Sequence, residues 1–158
     1  MSPEPQHDSK AALAVILSRI EAARKAALSP APKTDLIAVT KTHDADTIVP
    51  VLEAGHRIFG ENRVQEAKVK WPALRERFAG IELHLIGPLQ TNKAREAVEL
   101  FDAIHSVDRP KLADVLKQEC ERAGKTPLLF IQVNTGEEPQ KAGVAPKETA
   151  AFVDYCRE

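Results

Sequence analysis

Apolar residues follow a helical period first and a mixed helix and strand rhythm afterwards. Between residues 9 and 28, apolar side chains recur three and four positions apart, with charged side chains on the other faces. Prolines at positions 30 and 32 stop this pattern. We therefore predict one amphipathic helix, capped by Asp8 or Ser9, before any strand.

Five short apolar runs then alternate with helical patterns. The predicted strands are residues 36–41, 56–60, 82–86, 102–107 and 128–133, and the predicted helices are residues 44–55, 64–78, 91–100, 110–124 and 146–158. Pro50 is expected to be tolerated only in the first turn of its helix, and Pro72 is expected to interrupt the next helix. The alternation predicts an α/β fold with parallel strands and right-handed crossovers.

Two α/β architectures fit five parallel strands. A doubly wound sheet would be complete at this length. A parallel (β/α)8 TIM-type barrel needs eight strands and typically about 250 residues, so this chain would supply only about five of the strands. In both architectures ligands bind at the carboxyl ends of the strands. Polar residues gather at those ends, among them Lys41, Asn62, Ser106 and Asn134.

Composition and charge exclude several classes of protein. The chain has 158 residues, 43% hydrophobic and 28% charged, which is typical of a folded globular domain. Its net charge of -1 gives no reason to expect a nucleic-acid partner. The longest apolar stretch, residues 11–17, is far shorter than the about 20 residues of a membrane span. We expect residues 1–8 to be a disordered lead-in rather than a signal peptide, and residues 9–158 to form one domain.

The cysteine and histidine patterns indicate neither a disulfide framework nor a metal site. Cys120 and Cys156 are too few and too far apart for either kind of site, so a reducing, cytoplasmic location is predicted. The five histidines show no H-x-x-x-H or H-E-x-x-H spacing. The absence of Walker, G-x-G-x-x-G and G-x-S-x-G motifs argues against nucleotide-triphosphate, dinucleotide and serine-hydrolase sites.

Lys41 is the candidate with the clearest chemistry. It ends the first predicted strand, where partial desolvation can lower the pKa of an amine and permit Schiff-base formation; the alternative is a lysine that extends into solvent. Asn62 can donate hydrogen bonds to a ring oxygen or a phosphate, although a plain turn explains it equally well. His84 lies inside the third predicted strand, where a histidine is usually a hydrogen-bonded core residue, but it shares the sheet end with Lys41.

Six short segments taken together resemble one known family. They are residues 38–42 (AVTKT), 59–66 (FGENRVQE), 84–93 (HLIGPLQTNK), 105–108 (HSVD), 132–134 (QVN) and 141–143 (KAG). Each is modestly specific, but their order and spacing are similar to those of the pyridoxal phosphate homeostasis proteins. The resemblance covers almost all of residues 36–144.

The resemblance implies a barrel like the N-terminal domain of alanine racemase, with pyridoxal 5'-phosphate held as an internal aldimine on Lys41. It implies a carrier in cofactor homeostasis and delivery, with effects on amino-acid balance and without established catalysis, so no catalytic residue is assigned. Position at the strand ends adds Asn62, His84, Ser106 and Asn134 to the cofactor site. Apoenzymes that depend on pyridoxal phosphate are the expected recipients, and a cytoplasmic monomer is expected.

One departure from the family and two rival functions stay open. Family members are longer, and their phosphate-binding loops lie in the last strands, which this chain lacks; a partial barrel would have two open edges and a weaker phosphate grip. The first rival is a racemase-like enzyme, which needs acid and base groups on both faces of the bound amino acid. Lys41 is a credible base, but Tyr155, the only tyrosine, is predicted in the last helix. The second rival is a doubly wound binding module.

Overall fold

The computed structural model describes residues 8–158, which form six α-helices and five β-strands. The predicted disordered lead-in lies outside the described residues except for Asp8, whose carboxylate accepts a hydrogen bond from the Ala11 N–H at 3.1 Å and caps the first helix. No helix within these residues is both long and apolar enough to cross a membrane.

Helices and strands alternate after the first helix, as predicted. The helices are α1 (Ser9–Ala26), α2 (Ala45–Glu53), α3 (Val64–Arg77), α4 (Ala94–Leu100), α5 (Pro110–Ala123) and α6 (Thr149–Arg157). The strands are β1 (Ala38–Val39), β2 (Ile58–Glu61), β3 (Glu82–Leu85), β4 (Ala103–Val107) and β5 (Leu128–Ile131). Short 3-10 helices, Thr91–Lys93 and Pro146–Glu148, form the predicted starts of α4 and α6.

The sheet order decides between the two predicted architectures. All neighbouring strands are parallel, and their order is β1-β2-β3-β4-β5. A doubly wound sheet reverses its strand order at a switch point, whereas here each strand lies next to the one that precedes it in the chain. The chain therefore forms five consecutive strands of a (β/α)8-type barrel, and β1 and β5 are its edges.

The two faces of the sheet differ in how completely they are covered. On the helix side, the largest side chains of the core are fully buried, among them Trp71 of α3, Phe59 of β2 and Phe101 after α4. On the opposite side, which corresponds to the barrel interior, Leu128 is 58% exposed and Phe130 is 41% exposed. The helices thus supply the hydrophobic core. The opposite face is exposed at the β5 edge but buried at His84 of β3, which is 6% exposed.

The expectations for two prolines were wrong for the same physical reason. Pro50 lies in the second turn of α2, and Pro72 lies inside α3, which continues to Arg77 without interruption. Both prolines are on exposed faces of their helices. The carbonyl that loses its helical partner can therefore reach water, while buried residues such as Trp71 hold the helix on both sides of the proline.

Candidate functional site

Lys41 and Asn62 lie at the carboxyl ends of two neighbouring parallel strands. Val39 of β1 pairs with Gly60 of β2, and Gly60 pairs with His84 of β3. Lys41 follows Val39 by two residues, in the turn after β1, and Asn62 follows Gly60 by two residues, directly after β2. His84 is in the paired row itself, inside β3.

Lys41 lies in a tight turn directly after β1. The His43 N–H donates to the Thr40 carbonyl at 3.2 Å, so Lys41 and Thr42 form the centre of this turn. Lys41 is exposed, and its ammonium forms no hydrogen bond or ion pair with any of residues 8–158. The predictions that Lys41 ends the first strand and is partly desolvated were therefore wrong, because β1 ends at Val39 and the following turn carries Lys41 into solvent. Its exposed primary amine can still react with a ligand at the carboxyl end of the sheet.

Asn62 is held by an unusually close approach of the chain after β3. A Cβ atom added to Gly87 would lie 2.2 Å from the Asn62 carbonyl oxygen and 2.8 Å from its Cα. Only glycine permits this contact, which fixes the backbone at Asn62. The Asn62 side chain is half-buried.

His84 belongs to a hydrogen-bonded series on the interior face. Its Nε2 lies 2.8 Å from Glu82 Oε1, and its Nδ1 lies 2.8 Å from His105 Nε2. The His105 ring stacks on Phe130 with centroids 4.5 Å apart. His105 was not among the predicted site residues, yet the register of β4 with β3 places it one level above His84, nearer the carboxyl end of the sheet.

Ser106 is a buried hydroxyl without a partner. Ile104 pairs with Leu129 and Val107 with Ile131, so β4 carries one extra residue between these pairs, and Ser106 lies in this irregularity. Ser106 is 2% exposed, and its Oγ has no hydrogen-bond partner among the described residues. A buried polar atom left in this state costs about 1–3 kcal/mol, which a bound hydrogen-bonding group would offset.

Asn134 uses its side chain within its own loop. Its Nδ2 donates to the Glu138 carbonyl at 2.8 Å, and its Oδ1 accepts from the Glu138 N–H at 3.3 Å. Its backbone N–H donates to the Val144 carbonyl at 2.8 Å. These bonds order the loop after β5, so the Asn134 side chain can bind a ligand only if its hydrogen bonds to Glu138 break.

The five predicted site residues are therefore not equally close to one another. Lys41 and Asn62 directly follow the neighbouring strands β1 and β2, and His84 lies inside β3. Ser106 and Asn134 belong to β4 and to the loop after β5, further along the sheet. Residues 8–158 contain no group of three or more His, Cys, Asp or Glu side chains arranged to hold a metal ion.

The environment of His105 leads to a prediction about pH. Burial, with a smaller contribution from the charge of His84, lowers the pKa of His105 below its ordinary value. In the unfolded chain a histidine takes up a proton at about pH 6.5, whereas His105 in the folded chain takes it up only at a lower pH. The neutral ring therefore stabilises the fold above about pH 6.5. This contribution is lost as the pH falls from there towards the lower pKa of the folded His105.

We expect the free energy of unfolding of the wild-type chain to fall more than that of His105→Gln between about pH 7.5 and about pH 5.5. Urea unfolding at both pH values measures the difference. His84, with Glu82 beyond it, is the titratable group hydrogen-bonded to His105 and is unchanged in the variant. His43→Gln, which replaces an exposed histidine, is the control. Equal pH dependence in wild type and His105→Gln would contradict the prediction.

Comparison with known proteins identifies similar sequences along nearly the whole chain. The family model of the alanine racemase N-terminal domain matches residues 12–158. The pyridoxal phosphate homeostasis protein of Vibrio cholerae serotype O1 is 38% identical over 136 residues, which cover 84% of this chain and 57% of that relative.

Solved structures give the same result for the fold. The structure of PipY from Synechococcus elongatus PCC7942 without PLP is 42% identical, with a TM-score of 0.76 over 89% of this chain and 64% of that chain. A second structure of PipY has PLP bound and gives a TM-score of 0.72 over 88% of this chain and 62% of that chain. This chain thus spans less than two thirds of the length of these relatives.

Proposed function

Because the chain belongs to the alanine racemase N-terminal domain family, we propose that it binds pyridoxal 5'-phosphate through Lys41 and serves intracellular homeostasis and delivery of this cofactor. The observation that carries the proposal is the position of Lys41 in the turn after the carboxyl end of β1, where its exposed ammonium pairs with none of residues 8–158. The relatives named for pyridoxal phosphate homeostasis, and PipY with PLP bound, support it.

The residues at the mouth of the sheet fit this group. When bound, the cofactor supplies an aldehyde that a primary amine can capture with release of one water. Lys41 offers that amine, and the amide of Asn62 can hydrogen-bond to the ligand. The Ser106 hydroxyl has no hydrogen-bond partner within residues 8–158.

We further propose that the chain works as a cytoplasmic monomer that passes the cofactor to apoenzymes dependent on it. The relatives named for pyridoxal phosphate homeostasis support this role. Mixing the cofactor-loaded chain with an apo-aminotransferase and following the recovery of aminotransferase activity tests delivery. Recovery no faster than with an equal amount of free cofactor would contradict direct transfer but not binding.

We predict no racemase, transaminase or decarboxylase turnover. Moving a proton at an amino-acid α-carbon requires a second acid–base group opposite the lysine. The only tyrosine, Tyr155, lies on α6 and donates its hydroxyl to Asp114 at 2.6 Å, on the helix layer and away from the site. Incubation of the loaded chain with L- and D-amino acids, with chiral separation of the products, measures turnover. Rates of roughly 1 per second or more that vanish in Lys41→Ala would favour the racemase-like alternative.

A further inference from the structure

A buried charged cluster on α3 lies directly under the turn that carries Lys41. Its members are Glu61 of β2 and Glu66 and Lys70 of α3, which we name the α3 clasp. Lys70 is 7% exposed and Glu61 is fully buried. The Lys70 ammonium lies 2.6 Å from Glu61 Oε1 and 3.2 Å from Glu66 Oε1. Such a cluster is costly to bury, so its contacts identify what it holds in place.

The Lys70 ammonium also binds both ends of the turn. It donates to the Thr40 carbonyl at 2.9 Å and to the His43 carbonyl at 2.9 Å. An ammonium has three N–H donors, and here four acceptors surround it. Lys70 therefore connects the residue before Lys41 and the second residue after it to a single point on α3.

Glu66 holds the centre of the same turn. Thr42 has a φ of 65°, which is a left-handed conformation that a β-branched residue rarely adopts. The Thr42 N–H donates to Glu66 Oε1. Burial opposes ionisation of Glu66, but the Thr42 N–H and the Lys70 ammonium outweigh it and lower the pKa of this carboxyl. Glu66 and Lys70 are one helical turn apart, so both face the Lys41 turn from one side of α3.

Glu61 anchors this arrangement to the core. Its Oε1 accepts from the Trp71 indole N–H at 2.9 Å and from the Thr40 hydroxyl at 2.8 Å. Thr40 is thus held through both its side chain and its carbonyl. The clasp thus fixes three backbone groups: the Thr40 carbonyl, the Thr42 N–H and the His43 carbonyl. They belong to the residue before Lys41 and to the two residues after it.

We propose that Lys70 and Glu66 are positioning residues for Lys41: they fix the turn at residues 40–43 so that the Lys41 amine points into the ligand site. Neither residue touches the ligand in this proposal. The inference rests on the proposed function, because it takes Lys41 as the residue that captures pyridoxal phosphate. If the clasp contributed only to stability, apolar side chains of similar volume could replace its three charged residues with little loss in the free energy of unfolding.

The test compares Lys70→Met and Glu66→Ala with a matched control, Lys68→Met. Lys68 lies on the same helix, but it is half exposed and pairs with Glu96. Two quantities are measured in each protein: the exchange rates of the Thr42 and His43 amides without cofactor, and the concentration of pyridoxal phosphate that gives half-maximal borohydride trapping at Lys41. Unfolding curves correct both for the folded fraction.

Lys70→Met and Glu66→Ala are expected to speed exchange of the turn amides and to raise the half-maximal concentration by about tenfold to a hundredfold, since a displacement of about 1 Å can have such an effect. Lys68→Met is expected to match the wild type. If Lys70→Met does not fold, Glu66→Ala decides, since the Glu66 side chain is 29% exposed.

Two results would overturn the positioning role. Unchanged amide exchange in the turn would show that the clasp does not order it, and unchanged trapping at Lys41 would show that the order does not matter for capture. Failure of the wild-type chain to trap pyridoxal phosphate at Lys41 would instead overturn the proposed function, and amide exchange would still measure whether the clasp orders the turn.

Discussion

Replacing Lys41 with alanine is expected to abolish covalent capture of pyridoxal 5'-phosphate by this chain. Lys41 is the only amine among the proposed site residues, so Asn62 and its neighbours can retain at most weak, reversible binding. Because the Lys41 side chain is exposed and forms no bond with residues 8–158, the free energy of unfolding is expected to change by less than about 0.5 kcal/mol. Absorbance titration with the cofactor and urea unfolding measure the two quantities.

Lys33→Ala is the matched control for this experiment. Lys33 is also exposed, but it lies before β1, whereas Lys41 follows it. The Lys33 ammonium pairs with Asp35 at 3.0 Å. We expect this variant to bind the cofactor like the wild type. The assignment of Lys41 would be contradicted if Lys33→Ala lost cofactor binding. It would also be contradicted if Lys41→Ala gave the same absorbance change as the wild type on adding the cofactor.

Among the substitutions proposed for the strand ends and loops, Gly87→Ala is expected to lower the free energy of unfolding most. The new Cβ would lie 2.2 Å from the Asn62 carbonyl oxygen and 2.9 Å from the Asn62 carbonyl carbon. Backbone atoms cannot move aside as a flexible side chain can, so the ends of β2 and β3 must separate. We expect a loss of about 3 kcal/mol or more in the free energy of unfolding, with weaker cofactor binding because Asn62 moves. Urea unfolding and the cofactor titration measure both effects.

Gly80→Ala separates this clash from the general effect of replacing a glycine. Gly80 has a φ of 79°, and an added Cβ would meet nothing within 4 Å. The cost there is limited to backbone strain, about 1–2 kcal/mol, with no change in cofactor binding. Equal destabilisation by the two substitutions would show that the contact between Gly87 and Asn62 is not the cause.

The sequence was sufficient to predict the fold class, because each strand and helix has its own hydrophobic period. The family match confirms the resemblance inferred from the six motifs, and the consecutive parallel strands confirm the partial barrel. The two prolines were misjudged because their effect depends on whether the affected carbonyl reaches water. That depends on helix orientation in the fold, which the local pattern does not contain.

The site was only partly predictable for a related reason. Lys41 and Asn62 follow neighbouring strands, so the strand pattern alone brings them to one edge. His105 was missed because its level depends on the register between β3 and β4. The spacing of Glu66 and Lys70 was visible, but opposite charges four positions apart are typical of an exposed ion pair on a helix. Only the packing of α3 under the Lys41 turn shows that Lys70 is buried.

Capture of pyridoxal 5'-phosphate on Lys41 can be tested directly on the unaltered chain. The chain is incubated with the cofactor, the mixture is reduced with borohydride and digested, and the modified residue is located by mass spectrometry. We expect a single major adduct on the peptide that contains Lys41. An adduct spread over exposed lysines such as Lys33 and Lys68, or the absence of any adduct under conditions in which the chain is folded, would contradict it.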